Sequence, residues 1–274
     1  MDHHAVSKRP RDKKMFYLLP LIVVMHVIAL GTIWYYGISS LLIAYLLDIP
    51  IGLGVTLCLH RYFAHRSYKT SPAFEKVLLW FASMTGFRVI EWVSNHRTHH
   101  AHSDTAEDVH SPLHGGIWWS HFQWAFYLFP IQEHRVQDLL ANSTARWFNQ
   151  YWWLPILCYI GVIVTGFWYF FGVPGIIHGI CIYFLMMVLL WHLEGAVNSF
   201  THLFGSKPYP TKDNSRNNPL VGVLSFGEGW HNNHHYNATS ARLGFHWYQF
   251  DFTYLVICLL EKLHLIYDVK RPKI

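Results

Sequence analysis

Residues 16–59 read FYLLPLIVVMHVIALGTIWYYGISSLLIAYLLDIPIGLGVTLCL, 44 mostly apolar positions from Phe16 to Leu59. A helix needs roughly 20 such residues to cross a bilayer, so this run is long enough to cross twice. Gly37-Ile38-Ser39-Ser40 in its middle supplies a turn. The stretch therefore reads as a helical hairpin. A second run, Trp152 to Leu193, has 42 residues and a break at Gly172-Val173-Pro174-Gly175, and the same arithmetic gives a second hairpin.

Both turns then face one side of the membrane. All 21 Lys and Arg fall in residues 8–14, 61–146 and 207–273, on the other side. The positive-inside rule makes that side the cytoplasm. The expected fold is an all-α integral-membrane protein of one domain, residues 1–274, with active groups on the cytoplasmic side. A basic tail (1–15) precedes transmembrane hairpins 16–59 and 152–193, and residues 60–151 and 194–274 form a cytoplasmic helical cap. Phe74 to Ile90 is apolar but only 17 residues long and carries Glu75, Lys76 and Arg88, so it reads as a buried or interfacial helix. Ile117 to Pro130 and Phe250 to Leu260 read the same way.

Composition agrees. Of the 274 residues 52% are hydrophobic and 18% aromatic, and 14% are charged, against about 25% in an average soluble domain. The net charge of +5 comes with no basic stripe or stacking module for nucleic acid, so it is read as membrane orientation. Cys58, Cys158, Cys181 and Cys258 stand singly in apolar sequence and read as packing residues. The polar start, including His3 and His4, has no cleavage site of a secretory signal.

The 21 histidines exceed what packing requires, and four groupings stand out. His60 and His65 end the second span. His96, His99 and His100 form the second grouping, Asn198 with His202 follows the fourth span, and His231, His234 and His235 form the last. Residues at i, i+3 and i+4 of a helix share a sector of roughly 100°, so each triplet is expected to project together as half of a metal site. His60 and His65 diverge by about 140° in an ideal α-helix and are expected to reach different metals. Nine histidines exceed the four of a closed zinc site and suit two metals with four or five ligands each. Asn198, one turn before His202, is placed to hold a metal-bound water. His26, His178, His192, His246 and His264 read as ordinary surface or core residues. Imidazole alone does not select the metal. A membrane-embedded site points to redox work on lipid, which zinc does not perform, so iron is expected.

At these residues the sequence resembles the membrane fatty acid desaturases, the family of stearoyl-CoA desaturases and of bacterial and cyanobacterial delta-9 acyl-lipid desaturases. His-x4-His, His-x2-His-His, Asn198-x3-His202 and a second His-x2-His-His led by Gly227-Glu228-Gly229-Trp230 carry the likeness, from about His60 to Val269. The resemblance implies a di-iron centre on His60, His65, His96, His99, His100, His202, His231, His234 and His235, with Asn198 acting through water. It implies O₂-dependent removal of two hydrogens from an acyl chain. Electrons would come from a separate cytochrome b5, ferredoxin or rubredoxin type of protein, since only about 40 residues follow the last box. Ser94-Asn95 stands where the animal acyl-CoA enzymes carry Arg-Asp to hold the substrate head, so these two residues are expected at the head group and an acyl-lipid or acyl-carrier substrate gains weight.

No acid or base beyond the metal ligands is needed. The competing readings are an all-histidine di-iron hydroxylase, differing by return of oxygen to the substrate carbon, and a non-catalytic membrane metal-binding protein. The latter expects more ionisable residues along the spans than Asp48, His26 and His178. At intervals of four before His60 stand Thr56, Gly52, Asp48 and Ala44 on one helix face. Asp48 either hydrogen-bonds a neighbouring helix or faces a functional cavity. In the second case this face lines the acyl tunnel, with Gly52 and Ala44 leaving room for the chain.

Overall fold

The computed structural model describes residues 18–272, and the basic tail 1–15 with His3 and His4 lies outside them. Four helices are long and apolar enough to cross a membrane: α1 (Leu19–Tyr36), α2 with its continuation (Ser39–Ala64), α8 (Trp153–Phe171) and α9 (Val173–Leu203). They form the two expected hairpins. Gly37 (φ 86°) and Gly172 (φ 65°) make the turns, a left-handed backbone that costs glycine little. The rings of Trp34, Tyr35, Tyr169 and Phe170 are exposed around these tips, as in an interfacial aromatic belt. Met25, Ala29, Ala44, Ile163, Tyr183 and Met186 close the core between the spans.

Among the described residues no other helix is long enough to span. α3 (Pro72–Ser83), α4 (Val89–His102), α5 (Pro112–His121), α6 (Gln137–Ala141), α7 (Ser143–Gln150), α10 (Pro219–Leu224), α11 (His231–Tyr236) and α12 (Phe252–Lys262) form the cap with a two-stranded antiparallel ribbon, Lys69–Thr70 against Ile266–Tyr267. Ser71, Asn142, Asn218 and Asp251 cap α3, α7, α10 and α12 by accepting from backbone N–H groups, which satisfies donors a helix start leaves open.

Two features go beyond the sequence reading. The fourth apolar run stops at Leu193, yet α9 continues to Leu203, carrying Asn198 and His202 on the span helix itself. The second span changes pitch past Pro50, which gives the helix no N–H, and residues Gly54–Ala64 form a π-helix. Its end is shown by His65 N–H donating to His60 C=O at 3.0 Å, five residues back. The segment is pinned by Arg61, whose fully buried guanidinium donates to Asp251 (2.9 and 3.2 Å), Glu228 (3.1 Å) and the Ala241 carbonyl (2.7 Å).

Candidate metal centre

The nine histidines expected as ligands come together in two groups, and the grouping corrects the sequence reading. His60, His65, His96, His100 and His234 form one; His99, His202, His231 and His235 form the other, with the ligand atoms in each within 4.8 Å of one another. His60 and His65 therefore share a group. The 140° divergence belongs to an α-helix, whereas in a π-helix residues five apart lie one turn apart. The triplets are not halves of a site either. His96 and His100, at i and i+4, serve the five-ring group while His99 turns to the other. His231 and His235 serve the four-ring group while His234 crosses over. Each triplet straddles both groups and ties them together.

Four carboxylates orient the rings, and the sequence reading missed them in this role. The Nδ1–H of His99 donates to Asp108 (2.9 Å), that of His202 to Asp104 (2.9 Å) and that of His235 to Asp213 (2.7 Å), and His60 Nδ1 lies 2.6 Å from Glu228. Burial works against ionisation of each acid. The neighbouring rings prevail for Asp108, Asp104 and Asp213, helped by backbone N–H donors, and for Glu228 His60 acts with Arg61; all four are held below the usual carboxylate range. Their signal was available in outline: four acids close in sequence to the boxes of a chain poor in acids, where ligating histidines require such partners.

The donor set fits a metal. With Nδ1–H committed to carboxylates, His99 and His235 present lone pairs on Nε2 that face each other at 3.3 Å. His202 and His231 stand at 3.0 Å, His60 and His234 at 3.0 Å, His234 and His100 at 2.9 Å, and His65 and His96 at 2.8 Å, all Nε2 to Nε2. Burial, then repulsion among neighbouring rings, holds His96, His100, His231 and His234 well below the ordinary imidazole range. Neutral nitrogens converging in two buried clusters are stabilised by a cation in each. Asp213→Asn is expected to weaken metal binding at the four-ring group roughly 10–100-fold with the fold retained. Metal titration against a competing chelator checks this, and unchanged affinity would remove Asp213 from that role.

The remaining sequence expectations fare unevenly. Asn198 lines a cavity of about 30 Å³ together with His60, His96, His99 and His231, where a water-mediated role is open to it. Ser94 is buried and its hydroxyl accepts from Gln132 N–H at 2.8 Å, so it holds the 130s loop; Asn95 beside it is half-buried. The Ala44, Asp48, Gly52, Thr56 face is packed. Ala44 is fully buried in the inter-span core, the Phe226 ring fills the groove at Gly52, and the Thr56 hydroxyl accepts from Thr253 at 2.8 Å. Asp48 is fully buried with neither carboxyl oxygen hydrogen-bonded, so the expected bond to a neighbouring helix is not made. Glu194, just past the apolar run, was missed and lines the metal-facing cavity. His26, His192 and His121 form a separate chain, with N···N contacts of 3.2 and 3.0 Å. A larger cavity, about 460 Å³, lies between Tyr62, Arg66, Lys69, Asp138 and Lys270. It has no histidine in its wall and stands apart from the metal chemistry.

A family model described as fatty acid desaturase matches residues 31–258. The chain is 36% identical over 279 residues to hex-5-enoyl-[acyl-carrier protein] acetylenase of Moorena producens, covering 94% of this chain and 85% of that protein. It is 38% identical over 222 residues to sn-1 stearoyl-lipid 9-desaturase of Anabaena variabilis, covering 80% and 79%. Against icosanoyl-CoA 5-desaturase of Limnanthes douglasii it is 35% identical over 260 residues, covering 92% and 71%.

Proposed function

This chain belongs to the fatty acid desaturase family and is an oxidoreductase acting on acyl chains, and from that premise we propose that it places a cis double bond in a saturated acyl chain at two irons held by the nine histidines. The observation that carries the reading is the pair of converging imidazole groups, five and four rings, with tautomers set by carboxylates. Bound iron supplies the O₂ chemistry that side chains lack. The protein's own part is positional. Nδ1–H bonds aim the Nε2 atoms inward, Arg61 and Glu228 fix the π-helix that brings His60 beside His65, and buried walls keep bulk water away. In balance, –CH₂–CH₂–, O₂, two electrons and two protons give –CH=CH– and two waters. The electrons come from a separate protein of the cytochrome b5, ferredoxin or rubredoxin type.

We place the double bond at carbon 9 from the acyl carboxyl, on the strength of the relative named a 9-desaturase at 38% identity. Relatives named for acyl-carrier protein, coenzyme A and lipid substrates support an acyl thioester or membrane lipid as the carrier. Gas chromatography–mass spectrometry of derivatised lipids from cells expressing the chain tests the reading. A new unsaturated acid, absent with a His96→Ala control, is expected. A hydroxylated acid in its place would transfer the chain to the hydroxylase reading.

The active groups are proposed to face the cytoplasm, as the one-sided distribution of basic residues supports. With the four native cysteines replaced, Ile38→Cys and Val173→Cys, both at exposed hairpin tips, are expected to react with an impermeant maleimide only from the non-cytoplasmic side. Labelling from the cytoplasm would invert the topology.

A further inference from the structure

The two ring groups are not held alike. In the four-ring group the Nδ1 atoms of His99, His202 and His235 each meet a carboxylate, so three rings of four are fixed in this way. In the five-ring group His60 alone does, beside Glu228. Among the described residues no carboxylate pairs with His65, His96, His100 or His234, and Nδ1 of His234 is buried without any partner. A partner at the second nitrogen is what ordinarily fixes the ring of a ligating histidine. Where it is missing, placing the ring falls to the backbone that carries it.

One side chain joins the backbone beneath three of these rings. Arg97 stands on α4 between His96 and His100, and only 12% of its side chain is accessible. A guanidinium has five N–H donors, and here all five are used. Two go to the Phe63 and Ala64 carbonyls, two to the Asp138 carboxylate at 2.7 and 2.8 Å, and one to the Arg135 carbonyl. Phe63 and Ala64 close the π-helix just before His65, where a helix end leaves carbonyls without a partner of their own. Asp138, on α6, braces the guanidinium from the other side. The fork thus sets α4 against the end of the π-helix, where the Nε2 atoms of His65 and His96 stand 2.8 Å apart. His99, on the same helix but in the other group, has its own anchor in Asp108 at 2.9 Å.

We propose that Arg97 is the positioning residue of the five-ring group, holding its rings through the backbone where the four-ring group is held through Nδ1 by carboxylates. This rests on the two-iron reading and deepens it. The two metals are retained by separate devices, and each can be released without the other. Charge alone does not do this work: a lysine keeps the cation but offers three donors in place of five, without the planar fork.

The test challenges metal-loaded, full-length protein in detergent with rising concentrations of a chelator and measures the metal retained per chain by mass spectrometry, with thermal unfolding followed in parallel. Arg97→Met is expected to give up one metal at a chelator concentration roughly 10–100-fold below that needed for the wild type, and to keep the other as the wild type does. Arg97→Lys should fall between the two. Arg88→Met, which removes an exposed arginine at the start of the same helix, should match the wild type. Asp213→Asn weakens the four-ring site, so its combination with Arg97→Met should release both metals early. Should Arg97→Met fail to fold, Asp138→Asn takes its place, with a smaller shift in the same direction expected. Retention of both metals by Arg97→Met, their loss together, or one metal still held at wild-type strength in the combined variant overturns the assignment. So does unchanged retention in Asp138→Asn. A wild type carrying one metal ends the two-iron reading instead, and the assignment is then decided by whether Arg97→Met releases that metal.

Discussion

A His99→Ala protein is expected to remain folded, lose its four-ring metal and give no detectable double bond. His99 supplies one of four nitrogens in that group, and its loss leaves three rings plus Asp108 buried without its ring partner. Removing an outer partner of a metal ligand costs roughly 10–100-fold in affinity, and removing the ligand itself costs more. His100→Ala, drawn from the five-ring group, leaves four nitrogens and is expected to retain more metal while still losing activity. His246→Ala, whose ring stacks on Tyr248 away from both groups, should behave as wild type. Metal content by mass spectrometry and product by gas chromatography distinguish the three. Normal metal and activity in His99→Ala would overturn the assignment of the site.

The second large effect concerns Arg61. Changing it to Met leaves Asp251 and Glu228 buried and uncompensated, and breaking a buried ion pair from one side costs about 3–5 kcal/mol. The loss spreads to the metals because Glu228 also faces His60 Nδ1 at 2.6 Å, and to the C-terminal cap because Asp251 caps α12. Arg66→Met is the control. Its pair with Asp138 is solvent-exposed, the Arg66 side chain being 65% accessible, and such pairs contribute about 0–1 kcal/mol. Thermal unfolding in detergent should separate the two variants clearly. Equal melting temperatures would show that the buried cluster does not hold the π-helix.

The hairpins were legible because a bilayer demands long apolar runs and glycine tolerates the turns; both signals are local. The nine ligands were legible because their residue type is rare and their spacing is helical. Their partition between two groups was not. It depends on the pitch of residues 54–64, which no side-chain periodicity announces, and on α4 and α11 each giving histidines to both groups, so that His99 and His234 cross over. The carboxylates were hidden because Asp104 and Asp213 meet their rings across 98 and 22 residues of chain. The α2 face was ambiguous because small residues signal either space or a close neighbour, and at Gly52 the neighbour is Phe226.

The π-helix carries one further consequence, which would appear in a gene and not in an assay of point mutants. An i→i+5 ladder holds one more residue in a turn than an α-helix does. An in-frame deletion of a single codon within residues 54–59 lets the segment relax into the more stable α form with every helical contact still available. What it does not preserve is the pairing, because at α-helical pitch residues five apart diverge by about 140°, so His60 and His65 no longer face one group. His60 would leave its partners while the chain stayed helical and apolar. Deletion scanning should therefore find this stretch as intolerant as the histidine boxes themselves, although most of its residues bind nothing.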